Sequence, residues 1–218
     1  VAHHRPDGDD RTSLSSTSVV QLRFDDQGIL WAGTFNGGVN YVTPFGQRFG
    51  LVSARRGGLG NPHVLALLED HQGALWIGTD GGGLVRWDRK ADHFTTYKHD
   101  PRRPDSLAGD AVPALHEDTD HSIWVGTWAA GLDRFDPHTG RFEHYRNKNA
   151  ITDSVWAISE DSRDKLVLGT FDRGAVSVRN VQITQGSLNA AASADISREG
   201  VLSGRVVADV RAGSPTLR

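Results

Sequence analysis

One ten-residue pattern occurs four times in this chain: LWAGTFNGGV from Leu30, LWIGTDGGGL from Leu75, IWVGTWAAGL from Ile123 and LVLGTFDRGA from Leu166. The equivalent positions Trp31, Trp76, Trp124 and Val167 lie roughly 45 residues apart, a period that defines a repeat architecture. The match continues upstream to Asp25, Asp70, Asp118 and Asp161, and further to Val19, Val64, Val112 and Val155. Downstream it reaches Phe49, Phe94 and Phe142, then Val52, Tyr97 and Tyr145. Any fold for this chain has to use the same unit four times.

Each unit reads as four short strands. The first runs from the shared Val to an acidic pair, as in Val64-Leu65-Ala66-Leu67-Leu68. An Asp-x-x-Gly turn follows (Asp25 to Gly28, Asp70 to Gly73), where the Asp side chain can bond nearby amides and Gly accepts positive φ. The Trp-x-Gly-Thr run is the second strand, and a Gly-rich turn closes at Gly38, Gly83, Gly131 and Gly174. A third, alternating strand (Leu84-Val85-Arg86-Trp87) and a short outer strand complete the unit. A helical solenoid fails, because the apolar period is two and Gly and Thr are poor helix-interior residues.

The fold class is therefore all-β, a β-propeller segment of four-stranded antiparallel blades. Four clear blades fall at about 12–53, 54–100, 101–146 and 147–180, after a disordered or truncated start at 1–11. Residues 181–218 contain no aromatic side chain and form either a degenerate fifth blade or a poorly ordered tail. Trp31, Trp76 and Trp124 are expected to pack between adjacent blades. An open stack of blades would leave edge faces unpaired.

Composition narrows the function. The formal charge of -3 argues against nucleic acid as a partner, and no run of 18 apolar residues exists to cross a membrane. The absence of cysteine removes disulfides, thiolate metal sites and a cysteine nucleophile together. Methionine is also absent, even at position 1, and the opening VAHHRPDGDD has no apolar signal core, so the chain reads as a segment of something longer.

The motif set LWIGTDGGGL, then RWD or RFDPHTGRF, then a terminal Tyr, resembles the two-component regulator propeller repeats. These occur in the extracytoplasmic sensor regions of bacterial hybrid histidine kinases and related diguanylate cyclases. The resemblance covers roughly residues 12–180. It implies a ligand-sensing region on the periplasmic or extracellular side of the inner membrane, with C-terminal signalling domains outside this chain and a homodimer in the full-length protein. No transmitter histidine, receiver or cyclase motif is present here, so the kinase or cyclase activity would belong to that longer protein.

Residues repeated in every blade are expected to build the fold, whereas residues unique to one blade's loops are candidates for function. The acidic pairs Glu69-Asp70, Glu117-Asp118 and Glu160-Asp161 recur and read as turn-formers. The turn after each Gly-Thr varies instead: Phe35-Asn36-Gly37, Asp80-Gly81-Gly82, Trp128-Ala129-Ala130 and Phe171-Asp172-Arg173. Aromatic faces beside Asn, Asp and Arg suit stacking on sugar rings and hydrogen bonding to hydroxyls. The candidate ligand-binding residues are thus Phe35, Asn36, Asp80, Trp128, Phe171, Asp172 and Arg173, with Trp128 foremost. They would take a small molecule or an oligosaccharide.

No catalytic residue, cofactor or metal is assigned. The ten histidines show no HExxH or comparable spacing, and GTDGGG at Gly78 lacks the Lys-Ser/Thr and the helix of a phosphate loop. His116 sits at an inner-strand position and could face the channel. A propeller enzyme, either lyase or glycoside hydrolase, is the alternative reading and would draw on Asp80, Asp172 and His116. A protein–protein interaction platform is the third reading. The linking loops 53–63, 98–110 and 146–153, with Arg55-Arg56 and Arg102-Arg103, are natural carriers of specificity in any of these.

Overall fold

The computed structural model describes residues 4–7, 9–46, 48–53, 58–145, 154–160, 166–172, 175–180, 188–196 and 202–210, with strand placement alone from residue 171 onward. The first repeat forms β1 (Val19–Phe24), β2 (Leu30–Thr34), β3 (Gly38–Val42) and β4 (Gly50–Val52). The second forms β5 (Val64–Glu69), β6 (Leu75–Thr79), β7 (Leu84–Asp88) and β8 (His93–Tyr97). The third forms β9 (Ala114–Glu117), β10 (Ile123–Thr127), β11 (Gly131–Asp136) and β12 (Arg141–Tyr145). Each set is one antiparallel sheet paired in chain order, as the alternation and turn signals predict.

The fourth sheet opens in the same way with β13 (Val155–Glu160), β14 (Leu166–Asp172) and β15 (Ala175–Asn180). It then runs to five strands, because β16 (Leu188–Ile196) pairs with β15 and β17 (Leu202–Val210) pairs with β16. Residues 1–3, 181–187, 197–201 and 211–218 lie outside the described residues.

The repeated side chains show why the unit folds this way. Asp25 Oδ1 accepts the backbone N–H of Gln27 at 3.0 Å and of Ile29 at 2.8 Å, closing the β1–β2 turn. Its Oδ2 accepts the indole N–H of Trp31 at 3.0 Å. Asp70 repeats the arrangement with Gln72, Ala74 and Trp76, and Asp118 Oδ2 accepts the Trp124 indole at 2.8 Å. The shared acid is thus a turn-former that also fixes the Trp, as its recurrence suggested; Asp161 lies outside the described residues. The shared Thr has an equally local task. Thr34, Thr79 and Thr127 donate their hydroxyls across the next turn to the carbonyls of Gly38, Gly83 and Gly131 at 2.7–2.8 Å.

The inner strands β1, β5, β9 and β13 stand side by side, and each sheet packs its face on the next. The tryptophans fill these seams. Trp31 is 2 % exposed among Leu59, Val64 and Leu67 of the second repeat. Trp76 is buried with Leu107, Val112 and Phe135 of the third, and Trp124 with Val155, Leu166 and Leu168 of the fourth. Burying a ring of this size contributes on the order of 2–3 kcal/mol by transfer, so the seams carry much of the stability. At the leading face of the first sheet the corresponding positions are open: Leu22 is 61 % exposed whereas its counterpart Leu67 is 2 % exposed.

Candidate functional site

The turns between the second and third strands all lie at one end of the sheets, and backbone bonds hold them there. The N–H of Phe35, Asp80 and Trp128 donates to the carbonyl of Ser18, His63 and Ala111, respectively, each at 2.9 Å. These acceptors precede the inner strand of the same sheet. The turns also lean on the next sheet: the Gly38 N–H donates to Pro62 O at 2.9 Å, the Gly83 N–H to Asp110 O at 2.8 Å, and the Ala129 N–H to Ser154 Oγ at 3.1 Å. With the backbone committed in this way, the first side chain of each turn is left to project from the sheet end.

A second device aims the inner strands at the same place. The ladder register shifts between Val64 and Ala66 and again between Val155 and Ala157, which leaves Leu65 and Trp156 as the bulged residues. A β-bulge re-aims the side chain that it carries. Pro113 occupies the equivalent position before β9, where a residue without an N–H costs no ladder bond. The result is a cavity of about 250 Å³ lined by Phe35, Leu65, Asp80, Ala111, Pro113, Trp128 and Trp156, drawn from all four sheets.

The lining is aromatic and half-open. Phe35, Trp128 and Trp156 are each close to 45 % exposed. Trp128 and Trp156 meet edge to face with centroids 5.3 Å apart. Phe35 stacks on His63 at 4.4 Å, and His63 Nε2 lies 3.1 Å from Asn36 Oδ1 at the rim. Asp80 is exposed and is the ionisable side chain among the lining residues.

Phe35, Asp80 and Trp128, expected from sequence as binding residues, therefore meet in one cavity, and Asn36 stands beside it. Phe171 and Asp172 belong to β14, their backbones paired with Val176 and Ala175; their side chains and Arg173 lie outside the described residues. Leu65, Pro113 and Trp156 were not foreseen. Their signal was present, because the second inner-strand position reads Val20, Leu65, Pro113 and Trp156 and so varies between blades as the turns do. His116 does not line the cavity; it pairs with Glu160 in the next sheet, Nε2 to Oε2 at 3.3 Å. Arg55 and Arg56 lie outside the described residues, while Arg102 is exposed on the linking loop before β9.

Antiparallel sheets packed face to face, each with its first strand innermost, define a β-propeller segment. The family model described as two component regulator propeller matches residues 13–36, 58–81 and 106–129 of the chain. Each match runs from a linking loop through the inner and second strands into the turn that faces the cavity. No curated protein matches the chain in sequence.

Among solved structures, it is similar to the extracellular domain assigned to a hybrid two component system of B. thetaiotaomicron, with TM-score 0.63 and 18 % identity over 87 % of this chain and 30 % of that one. It is similar also to an extracellular domain assigned to a one component system of the same organism, with TM-score 0.62 and 23 % identity over 78 % and 22 %. An auxiliary nutrient binding protein from Bacteroides ovatus shares the fold at TM-score 0.53 and 12 % identity, over 90 % of this chain and 42 % of that one. The chain spans less than a third of the length of the first two. At these identities the likeness concerns the fold, and function has to be argued from the site.

Proposed function

We propose that this chain is the ligand-recognising part of an extracytoplasmic bacterial sensor, and that its ligand is a small polyhydroxylated molecule such as one residue of an oligosaccharide. The observation that carries this reading is the cavity in which Phe35, Trp128 and Trp156 surround the carboxylate of Asp80. Aromatic faces stack on the apolar face of a sugar ring, and a carboxylate accepts from its hydroxyls. At about 250 Å³ the space is slightly below the ~300 Å³ lower bound of common ligand sites, which favours one ring over an extended chain. The family match supports a sensing role, and the extracellular assignment of the similar domains supports a place outside the cytoplasm.

A binding role fits the lining better than catalysis. Glycoside hydrolysis generally needs two carboxyl groups about 5–10 Å apart. Among the described residues the cavity brings one carboxylate, Asp80, and His116 is engaged elsewhere; the Asp172 side chain lies outside them. Because the lining comes from four sheets, a ligand seated there would favour whichever mutual arrangement of the sheets it fits best. That differential affinity is what a signalling domain beyond this chain would read.

The test is a thermal melt and a tryptophan-fluorescence titration against a panel of mono- and oligosaccharides. One sugar class is expected to raise the melting temperature and perturb the emission of Trp128 and Trp156. Trp128→Ala removes one wall of the cavity and is expected to weaken that binding at least tenfold, about 1.4 kcal/mol or more, with the far-UV spectrum unchanged. Unaltered affinity in Trp128→Ala would refute this placement of the site.

A further inference from the structure

At the opposite end of the sheets from the aromatic cavity, His71, Glu117 and His121 converge. His71 follows the turn Asp of the second sheet, whereas Glu117 and His121 flank the β9–β10 turn of the third. Both imidazoles direct Nδ1 at the same oxygen: His71 Nδ1 lies 2.5 Å and His121 Nδ1 3.3 Å from Glu117 Oε1. The two rings stack with centroids 3.7 Å apart and planes inclined by 23°. Glu117 is held in place by its other oxygen, which accepts the backbone N–H of His71 at 2.9 Å. One ligand atom from each residue falls within 4.8 Å of the others.

We infer that His71, Glu117 and His121 form a binding site for a divalent transition-metal ion of the zinc class, bridging the second and third sheets. Two imidazole nitrogens and one carboxylate oxygen suit zinc and its neighbours, whereas calcium and magnesium prefer all-oxygen sets. With Zn–N and Zn–O bonds of about 2.1 Å, neighbouring ligand atoms on a tetrahedron stand about 3.4 Å apart. His121 and Glu117 already hold nearly that separation. To take an ion, His71 withdraws by about 1 Å and the two stacked rings rotate about their side-chain torsions so that each presents its Nδ1 lone pair in its own plane, with water in the fourth position.

Two comparisons within the repeat point the same way. One seam earlier, Glu69 occupies the position of Glu117: one of its oxygens accepts the Asp26 N–H at 3.3 Å, and the other receives the Arg89 guanidinium. That place in the repeat therefore seats a cation, and at Glu117 the arginine is replaced by a pair of metal-ligating rings. The second comparison concerns His121 itself. It has φ 67° at the turn position where Gly28 and Gly73 have φ 76° and 80°. A side chain there is strained where glycine is not, so the imidazole is placed against local preference.

The chain, produced without a histidine tag and stripped with EDTA, should be titrated with zinc chloride by calorimetry and melted with and without the metal. One zinc site of micromolar affinity is expected, with the melting temperature rising by about 5–10 °C when zinc exceeds its Kd about 100-fold. His121→Gly installs the glycine of the first two repeats, so it should melt no lower than the parent without zinc, yet lose at least tenfold in zinc affinity. Glu117→Gln should do likewise, and cobalt in the parent should give the visible bands of a four-coordinate site that both variants lack. Zinc affinity and melting shift unchanged in His121→Gly and Glu117→Gln would overturn the assignment, as would a parent chain whose melting does not respond to zinc.

Discussion

Replacing Asp25 with Ala is expected to destabilise the chain by about 3–5 kcal/mol, the cost of breaking a buried ion pair from one side. The Asp25 side chain is fully buried yet serves four donors. Its Oδ1 accepts the Gln27 and Ile29 N–H groups, and its Oδ2 accepts the Trp31 indole and the Arg89 guanidinium, the last at 2.6 Å. Arg89 comes from the second sheet, lies over the Trp31 ring 5.4 Å from its centroid and also bonds Glu69, so it clamps the first seam. Removing the carboxylate leaves the indole N–H and one edge of the guanidinium inside that seam without an acceptor, while Glu69 and the Gly73 carbonyl still hold the rest of Arg89. For a chain of this size the loss corresponds to a fall of roughly 10 °C in melting temperature. Asp25→Asn separates the contributions, since its remaining oxygen can still close the turn while the charge opposite Arg89 is gone; its loss should fall between parent and alanine variant.

The same group gives a pH dependence with a definite sign. Burial by itself would raise the Asp25 pKa, but the hydrogen bonds from Arg89, Trp31 and the Ile29 amide outweigh it and hold the carboxyl below its ordinary value. A lowered folded-state pKa means that the stabilisation is complete above the unfolded value, about 3.9, and is lost as pH falls through the folded one. Acid titration of the parent should therefore show stability declining below about pH 4. The Asp25→Ala chain should decline less over that window, and equal slopes would show that Asp25 is not the linked group.

The repeat made the sheets legible because every strand boundary coincides with a residue that has one physical task. Val64 opens β5, Asp70 closes its turn, Trp76 enters the seam and Thr79 ties off β6, so matching such residues across copies amounts to matching strands. The site was legible only where it departs from that regularity. Phe35, Asp80 and Trp128 stand out because the turn after Gly-Thr varies, whereas Trp156 hides inside a strand whose bulge is invisible without the ladder. The histidine cluster is harder still. His71 and His121 sit on different hairpins, and no linear spacing relates ligands that meet across a seam. The available hint was His121 standing where the first two turns carry Gly28 and Gly73.

A glycine needed for its empty space rather than for its φ gives the second large effect, Gly78→Ala. A Cβ added at Gly78 would lie 2.3 Å from the Val112 carbonyl oxygen, 2.8 Å from Val112 Cγ1 and 3.1 Å from Ala66 Cβ. The nearest obstacle is backbone of the next sheet, which no rotamer change can move aside. Beside it, the Val112 N–H donates to Thr79 O across the seam at 2.9 Å, so relieving the clash means opening the junction that buries Trp76. Overpacking of this kind costs about 3 kcal/mol. Gly140→Ala supplies the control: it has φ 68° and no atom within 4 Å of the added Cβ, so only backbone strain of about 1 kcal/mol applies. Denaturant melts should rank the two substitutions in that order by a clear margin. Equal losses would mean that the seam yields without cost, and that Gly-Thr recurs in these blades for the turn alone.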